Sequence, residues 1–237
     1  MPEASSINYH NVLQACTEPG CPLCRLAENS VDAYLRALMY ELVTDPEARD
    51  QIRETLGFCN PHAHRLLTLT GSALGIGIIY RDVVNTVIEQ LAAVRFAPPR
   101  GILFRRAGAG EAVPQALSPR RPCAVCDQQE KMESLALRVM IEGLREERLQ
   151  AALRASAGIC LPHLRRALGA VRNPADFETL VAISRDRYAA LRAELDEFIR
   201  KNDYRFQREG MGAEGNSWQR AVHAMAGSPT LANRPKG

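Results

Sequence analysis

The feature that most constrains this chain is that it is written twice. Cys21-Pro-Leu-Cys24 has a counterpart in Cys123-Ala-Val-Cys126, 102 positions later. Gly57-Phe-Cys59-Asn-Pro-His62 has one in Gly158-Ile-Cys160-Leu-Pro-His163, 101 positions later. Between these motifs, Leu35, Leu38, Met39 and Leu42 align with Leu137, Met140, Ile141 and Leu144. Ala48, Ile52 and Leu56 align with Leu149, Leu153 and Ala157, so one residue has been lost between the two halves of the repeat. A fold made of two copies of one supersecondary unit follows. Six of the seven cysteines fall on the repeat, and Cys16 is left over.

Each copy reads as helices. Val31, Leu35, Leu38 and Leu42 recur at helical spacing. Thr44-Asp45-Pro46-Glu47 closes that helix and opens the next, with Pro46 suited to a first helical position. Gly57 supplies a left-handed stop for the short second helix, and Phe58 the apolar contact of that cap. A third helix is expected from about Pro61 and a fourth over Ser72–Arg95. The second copy should end in a long helix from Asp176 to Tyr204. Alternation with period two is scarce, so the expected fold is all-α. It comprises two pseudo-repeated helical modules, residues 1–96 and 123–206, each knit by a Cys3His zinc site. The linker 97–122 holds five prolines, three glycines and five arginines and cannot be one long regular element. The tail 207–237 is Gly-rich, with Gly210, Gly212 and Gly215 as a flexible tether. It offers a short helix capped by Ser217, with Trp218, Val222 and Met225 as the face expected to dock.

The repeated side chains point to metal. A Cys-x-x-Cys turn aims two thiolates at one point. Cys59 and His62, three apart at a helix start, can lie on one face. Cys21, Cys24, Cys59 and His62 therefore form one expected quartet, and Cys123, Cys126, Cys160 and His163 the other. Three thiolates and an imidazole suit tetrahedral zinc with no open position, whereas iron–sulfur clusters usually take four cysteines. Two zinc ions per chain are expected, and no catalytic residue is assigned. A structural site of this type can supply about 10–16 kcal/mol of apparent binding free energy, enough to fix a small helical unit. Two other readings of the cysteines are weaker. Reduced core thiols account poorly for two matched sets, and a thioredoxin-like redox pair belongs in an α/β pattern that is lacking here. Cys16 reads as a small core residue. His10, His64 and His223 read as surface groups.

Composition excludes some classes. The hydrophobic fraction of 46% supports an ordinary core. Residues 1–11 have no apolar run like that of a secretory signal. The apolar stretch Gly71–Val94 is broken by Arg81 and Asp82. A cytoplasmic protein with reduced or metal-bound cysteines is expected. The net charge of +3 lies in the linker and the tail, leaving the body net negative, so a basic nucleic-acid face is not expected.

The string Cys-Pro-Leu-Cys, then Leu-Met-Tyr-Glu-Leu-Val-Thr-Asp-Pro, then Gly-Phe-Cys-Asn-Pro-His resembles an uncharacterised prokaryotic family, a domain of unknown function with a CPxC and GFCxxH signature. The resemblance covers most of residues 16–67, recurs more weakly over 123–168, and touches Ser217-Trp218-Gln-Arg-Ala221. Ala124 stands where the first copy has Pro22. The resemblance implies the metal ligands and brings no activity. The functional expectation is a zinc-held structural or interaction protein, a scaffold or adaptor with a protein partner. The alternatives are a thiol-based redox or zinc sensor and a nucleic-acid binder acting through the arginine-rich linker.

Overall fold

A computed structural model describes residues 7–94 and 117–231, and most of the 97–122 linker lies outside the described residues. Among the described residues there are ten α-helices, two short 3-10 turns and no strand. The helices are α1 (Ile7–Ala15), α2 (Pro22–Glu41), α3 (Pro46–Glu54), α4 (Asn60–Leu67) and α5 (Ala73–Ala93). After the linker come α6 (Ala124–Glu142), α7 (Glu147–Ala155), α8 (Leu161–Ala170), α9 (Pro174–Lys201) and α10 (Ser217–Ala226). The helix succession α2–α5 is repeated by α6–α9, as the duplication requires. No described helix is long and apolar enough to cross a membrane.

The ends of these helices follow local chemistry. Asp45 accepts from the Ala48 amide at 2.8 Å and caps α3, with Pro46 behind it. Asn173 caps α9 by accepting from the Ala175 and Asp176 amides. After α3 the chain turns through left-handed Leu56 and Gly57 (φ +51° and +92°), and the Gly57 amide returns to the Ile52 carbonyl at 2.9 Å. Gly158 repeats the turn at φ +91°. A tyrosine on the following long helix holds each of these turns. The Tyr188 hydroxyl donates to the Ile159 carbonyl at 2.9 Å, and the Tyr80 phenol is hydrogen-bonded to the backbone of Phe58.

The chain packs into two compact units that do not coincide with the two copies. One comprises the described residues up to Ser30 and from Gln129 onward, the other the described residues between Val31 and Gln128. The dividing points fall inside α2 and α6. In the first unit, Tyr9, Val12, Leu13 and Cys16 of the N-terminal segment join Met140, Leu144, Leu149, Leu153 and Leu180 in one core. The close seat of α1 depends on Gly143, where a β-carbon would lie 2.9 Å from Leu149 Cδ2 and 3.0 Å from Tyr9 Cε2. Among the described residues of the second unit, Leu38, Ile52, Ile79 and Val83 form one buried cluster, edged by Met39, Phe58 and Tyr80, and Val31, Leu35, Leu66, Leu69 and Val125 are buried besides. Asp82 of α5 is tied to α3, accepting from Arg49 Nε at 2.8 Å and from Arg53 at 3.4 Å.

The C-terminal helix docks, but through a different face from the expected one. Trp218, Val222 and Met225 are 51%, 58% and 48% exposed. Ser217 is fully buried as the first residue of α10, and Ala221 and Ala224 are half-buried. Small side chains permit close approach to α8 and α9. Arg220 pairs with Glu194 of α9 and also donates to the Ala213 carbonyl at 2.9 Å. Ser217 is not the cap expected. That position belongs to Asn216, and the buried Ser217 hydroxyl has no hydrogen-bond partner among the described residues.

Candidate metal centres

Every candidate ligand lies at the start of a helix. Cys59 and Cys160 are the capping residues of α4 and α8, with extended backbone and carbonyls that accept from Ala63 and Leu164, both at 2.8 Å. His62 and His163 stand three residues on. Cys21 and Cys123 occupy the same position before α2 and α6, their carbonyls accepting from Arg25 at 3.0 Å and Asp127 at 3.3 Å. Cys24 and Cys126 stand three residues on. A cap side chain and the one three residues later face each other, the geometry that a capping box uses for hydrogen bonds. Here it brings two metal donors together. The positive end of each helix also favours the thiolate form.

All eight predicted ligands gather into two groups of four, but the grouping is exchanged between the copies. The first cluster is Cys21, Cys24, Cys160 and His163, and the second is Cys59, His62, Cys123 and Cys126. The expectation that each copy closes its own quartet is therefore corrected. Each Cys-x-x-Cys turn meets the Cys-x-x-His helix of the other copy, and each cluster lies wholly within one compact unit.

The spacing fits a tetrahedral ion. Bonds of about 2.3 Å to sulfur and about 2.0 Å to nitrogen give edges of roughly 3.5–3.8 Å. In the first cluster, Cys24 Sγ lies 3.6 Å from Cys160 Sγ and 3.4 Å from His163 Nδ1, and Cys21 Sγ lies 3.6 Å from that nitrogen. In the second, Cys59 Sγ lies 3.4 Å from Cys126 Sγ, and His62 Nδ1 lies 3.2, 3.5 and 3.8 Å from Cys59, Cys126 and Cys123. All donors of a cluster are within 4.8 Å of one another.

Electrostatics mark the same two places. Hydrogen bonds from Cys126 and Cys59 hold the Cys123 thiol far below its usual range. Hydrogen bonding with Cys123 pushes Cys59 far up, and hydrogen bonding with Cys160 does the same to Cys24. Burial disfavours the imidazolium of His62, yet its bonds to Cys123 and Cys126 outweigh that and raise it to about 9. His163, likewise buried, is raised to about 12 by Cys160, Cys21 and Glu133. Packed thiols and imidazoles of this kind share protons that a divalent cation can replace. Cys16 stays outside both clusters. Burial, with the nearby Cys21 charge, pushes its thiol up to about 12, as befits a core residue.

Two supporting groups had no signal in the motifs. Glu133 of α6 is buried with an oxygen 3.6 Å from His163 Nε2, and it accepts from Gln129 at 2.6 Å and from Arg166. A ligand histidine bound through Nδ1 is oriented by such a carboxylate on its other nitrogen. The repeat places Val31 at the corresponding position of the first copy, buried and without a carboxylate. The second group is the tail. A β-carbon at Gly227 would lie 3.7 Å from Cys160 Sγ and 3.8 Å from Cys24 Sγ, and its φ of +83° suits glycine.

A family model described as a family of unknown function (DUF6062) matches residues 5–231. No curated protein matches the chain. No solved structure matches it.

Proposed function

We propose, for a chain that belongs to the DUF6062 family, a zinc-binding helical scaffold that holds two Cys3His ions and presents a groove to a helical segment of a protein partner. The exchanged quartets carry the metal part of this reading. Three thiolates and one imidazole at tetrahedral spacing select zinc over oxygen-loving cations. Four protein ligands leave no position for an activated water, so each ion serves to fix helices. Elemental analysis of protein purified without chelator tests this. Two zinc equivalents per chain are expected, and iron with visible charge-transfer absorption, or near-zero metal, contradicts it.

The groove supports the interaction part. In the first unit α1 lies against α6 and α7, with Tyr9 feeling the charges of Glu146 and Arg148. The repeat places Asp45 and Glu47 at those two positions, and Leu38, Ala48, Ile52 and Phe58 at the positions of Met140, Leu149, Leu153 and Ile159. In the second unit these same residues, with Tyr34 and Gln51, line a cavity of about 220 Å³. A groove so related to the seat of α1 suits an amphipathic helix with apolar residues at i, i+3, i+4 and i+7. Glu47 in place of Arg148 favours a basic residue on the occupant. A photo-crosslinking residue at Gln51 in the native host tests it. The expected result is one partner protein, captured through a helix of that pattern and lost when Ala48→Glu charges the groove. Crosslinks confined to this chain's own linker contradict the reading.

A further inference from the structure

Helix α5 packs Ile79 and Val83 into the core of its unit, yet it is apolar on its outer face as well. Leu74, Val84, Ile88 and Leu91 are 78%, 52%, 57% and 52% exposed. With Gly77 and Arg81, also exposed, they recur at alternating steps of three and four residues. That is the spacing of a coiled-coil seam. The place in the module does not require it. Tyr80 and Tyr188 hold the same turn in the two copies, which sets α5 and α9 in register 108 positions apart. At that offset Gly77, Val84 and Ile88 correspond to Arg185, Arg192 and Asp196, all exposed. The same helix thus meets water with charge in one copy and with apolar side chains in the other, the mark of a contact surface.

The stripe is complementary to itself. Turned end for end about a two-fold axis, it sets Leu74 against Leu91, Gly77 against Ile88 and Arg81 against Val84. A bulky side chain then meets the space above a glycine, since a β-carbon at Gly77 would find nothing of its own chain within 4 Å. Laid parallel, Arg81 would face Arg81 of the other copy, and like charges set opposite each other oppose pairing. We propose that α5 is the surface through which two copies of this chain pair, antiparallel and in that register. The contact is isologous, each copy giving and receiving the same stripe. From Leu74 to Leu91 it runs about 26 Å. One helix pair of that length lies at the small end of specific interfaces, so dissociation in the micromolar range is expected. No residue of α5 lines the groove described above, so the two readings stand or fall separately.

Sedimentation equilibrium of the full chain over the micromolar range tests this and should show monomer and dimer in exchange. Ile88→Arg, at an exposed position and checked for unchanged helicity, should weaken the dimer at least about tenfold. Val84 decides the orientation. Val84→Arg, set against Arg81 of the second copy, should weaken the dimer to the same degree. Val84→Glu gives that arginine a carboxylate and should pair no more weakly than the parent. A photo-crosslinking residue at Gly77, in a mixture of isotope-labelled and unlabelled protein, should link the two copies near Ile88, and it keeps the test open if a charged variant folds poorly. A chain that stays monomeric throughout overturns the proposal, as does a dimer indifferent to Ile88→Arg. Equal weakening by both Val84 variants, or links from position 77 confined to the same chain, overturns it as well.

Discussion

Cys24 Sγ lies 3.6 Å from Cys160 Sγ, although 136 residues separate them along the chain. The cysteine that the motif spacing pairs with Cys24 is Cys59, only 35 positions away, and it lies in the other cluster. A metal bridging Cys24 to Cys160 closes a much longer loop than one bridging Cys24 to Cys59. Loop closure costs more entropy the longer the loop, though only slowly. An ion held there would tie together segments that are far apart in the unfolded chain.

Removing metal should loosen the second unit more than the first. Its described residues bury fewer apolar side chains than the extended core around α1, α6, α7 and α9. Small cores depend on cross-links for stability. Hydrogen exchange on chelator-treated protein checks this. Helices α3, α4 and α5 should lose protection first, and α7 and α9 last. Equal loss throughout would count against it.

Glu133→Gln should weaken zinc at the first cluster by about 10–100-fold and leave the second unaffected. The change keeps shape and removes the charge that orients His163. Zinc competition titration separates the two affinities. An unchanged affinity at the first cluster would mean that Glu133 only pairs with Arg166.

The seat of α1 can be probed at Gly143. Gly143→Ala places a methyl group against Leu149 and Tyr9 at distances that require one of them to shift. Overpacking of this kind costs about 1–3 kcal/mol. Urea denaturation should show that loss, and exchange at the Val12 and Leu13 amides should rise with it. A stability equal to that of the parent would show that the seat is looser than described.

Much of this arrangement is legible in the residues, and the remainder is not for definable reasons. Helical stripes such as Val31–Leu35–Leu38, the Asp45–Pro46 start and the Gly57 stop all act locally, so they can be read from the string. The eight ligands announce themselves because each pair sits three residues apart at a helix start. Which pair meets which is a tertiary question. Duplication makes Cys21–Cys24 and Cys123–Cys126 locally equivalent, so spacing alone favours the nearer partner, and here the farther one is used. Glu133 and Gly227 escape because neither lies in a motif. The tail helix docks against its pattern because Trp218, Val222 and Met225 form the larger apolar face, whereas Ser217, Ala221 and Ala224 let helices approach closely.

Trp218, the one tryptophan in the chain, reports on the tail in an unusual way. Because α10 docks through its small face, the native emission should be close to that of exposed indole and readily quenched by iodide. Arg220→Ala, which breaks the tie to Glu194, should raise exchange in α10 while scarcely moving that emission. A blue-shifted, poorly quenched Trp218 at low protein concentration would place the indole inside its own chain, against the docking described.

The exchanged grouping of ligands is tested most directly by counting zinc in two double variants. Cys21→Ser with Cys160→Ser damages one cluster in this account, and Cys21→Ser with Cys59→Ser damages both. Elemental analysis should therefore find about one zinc ion in the first variant and almost none in the second, since each site needs its full set of four ligands. The reverse result, about one ion in the Cys21–Cys59 variant and none in the Cys21–Cys160 variant, would mean that each copy closes its own site and would contradict the account.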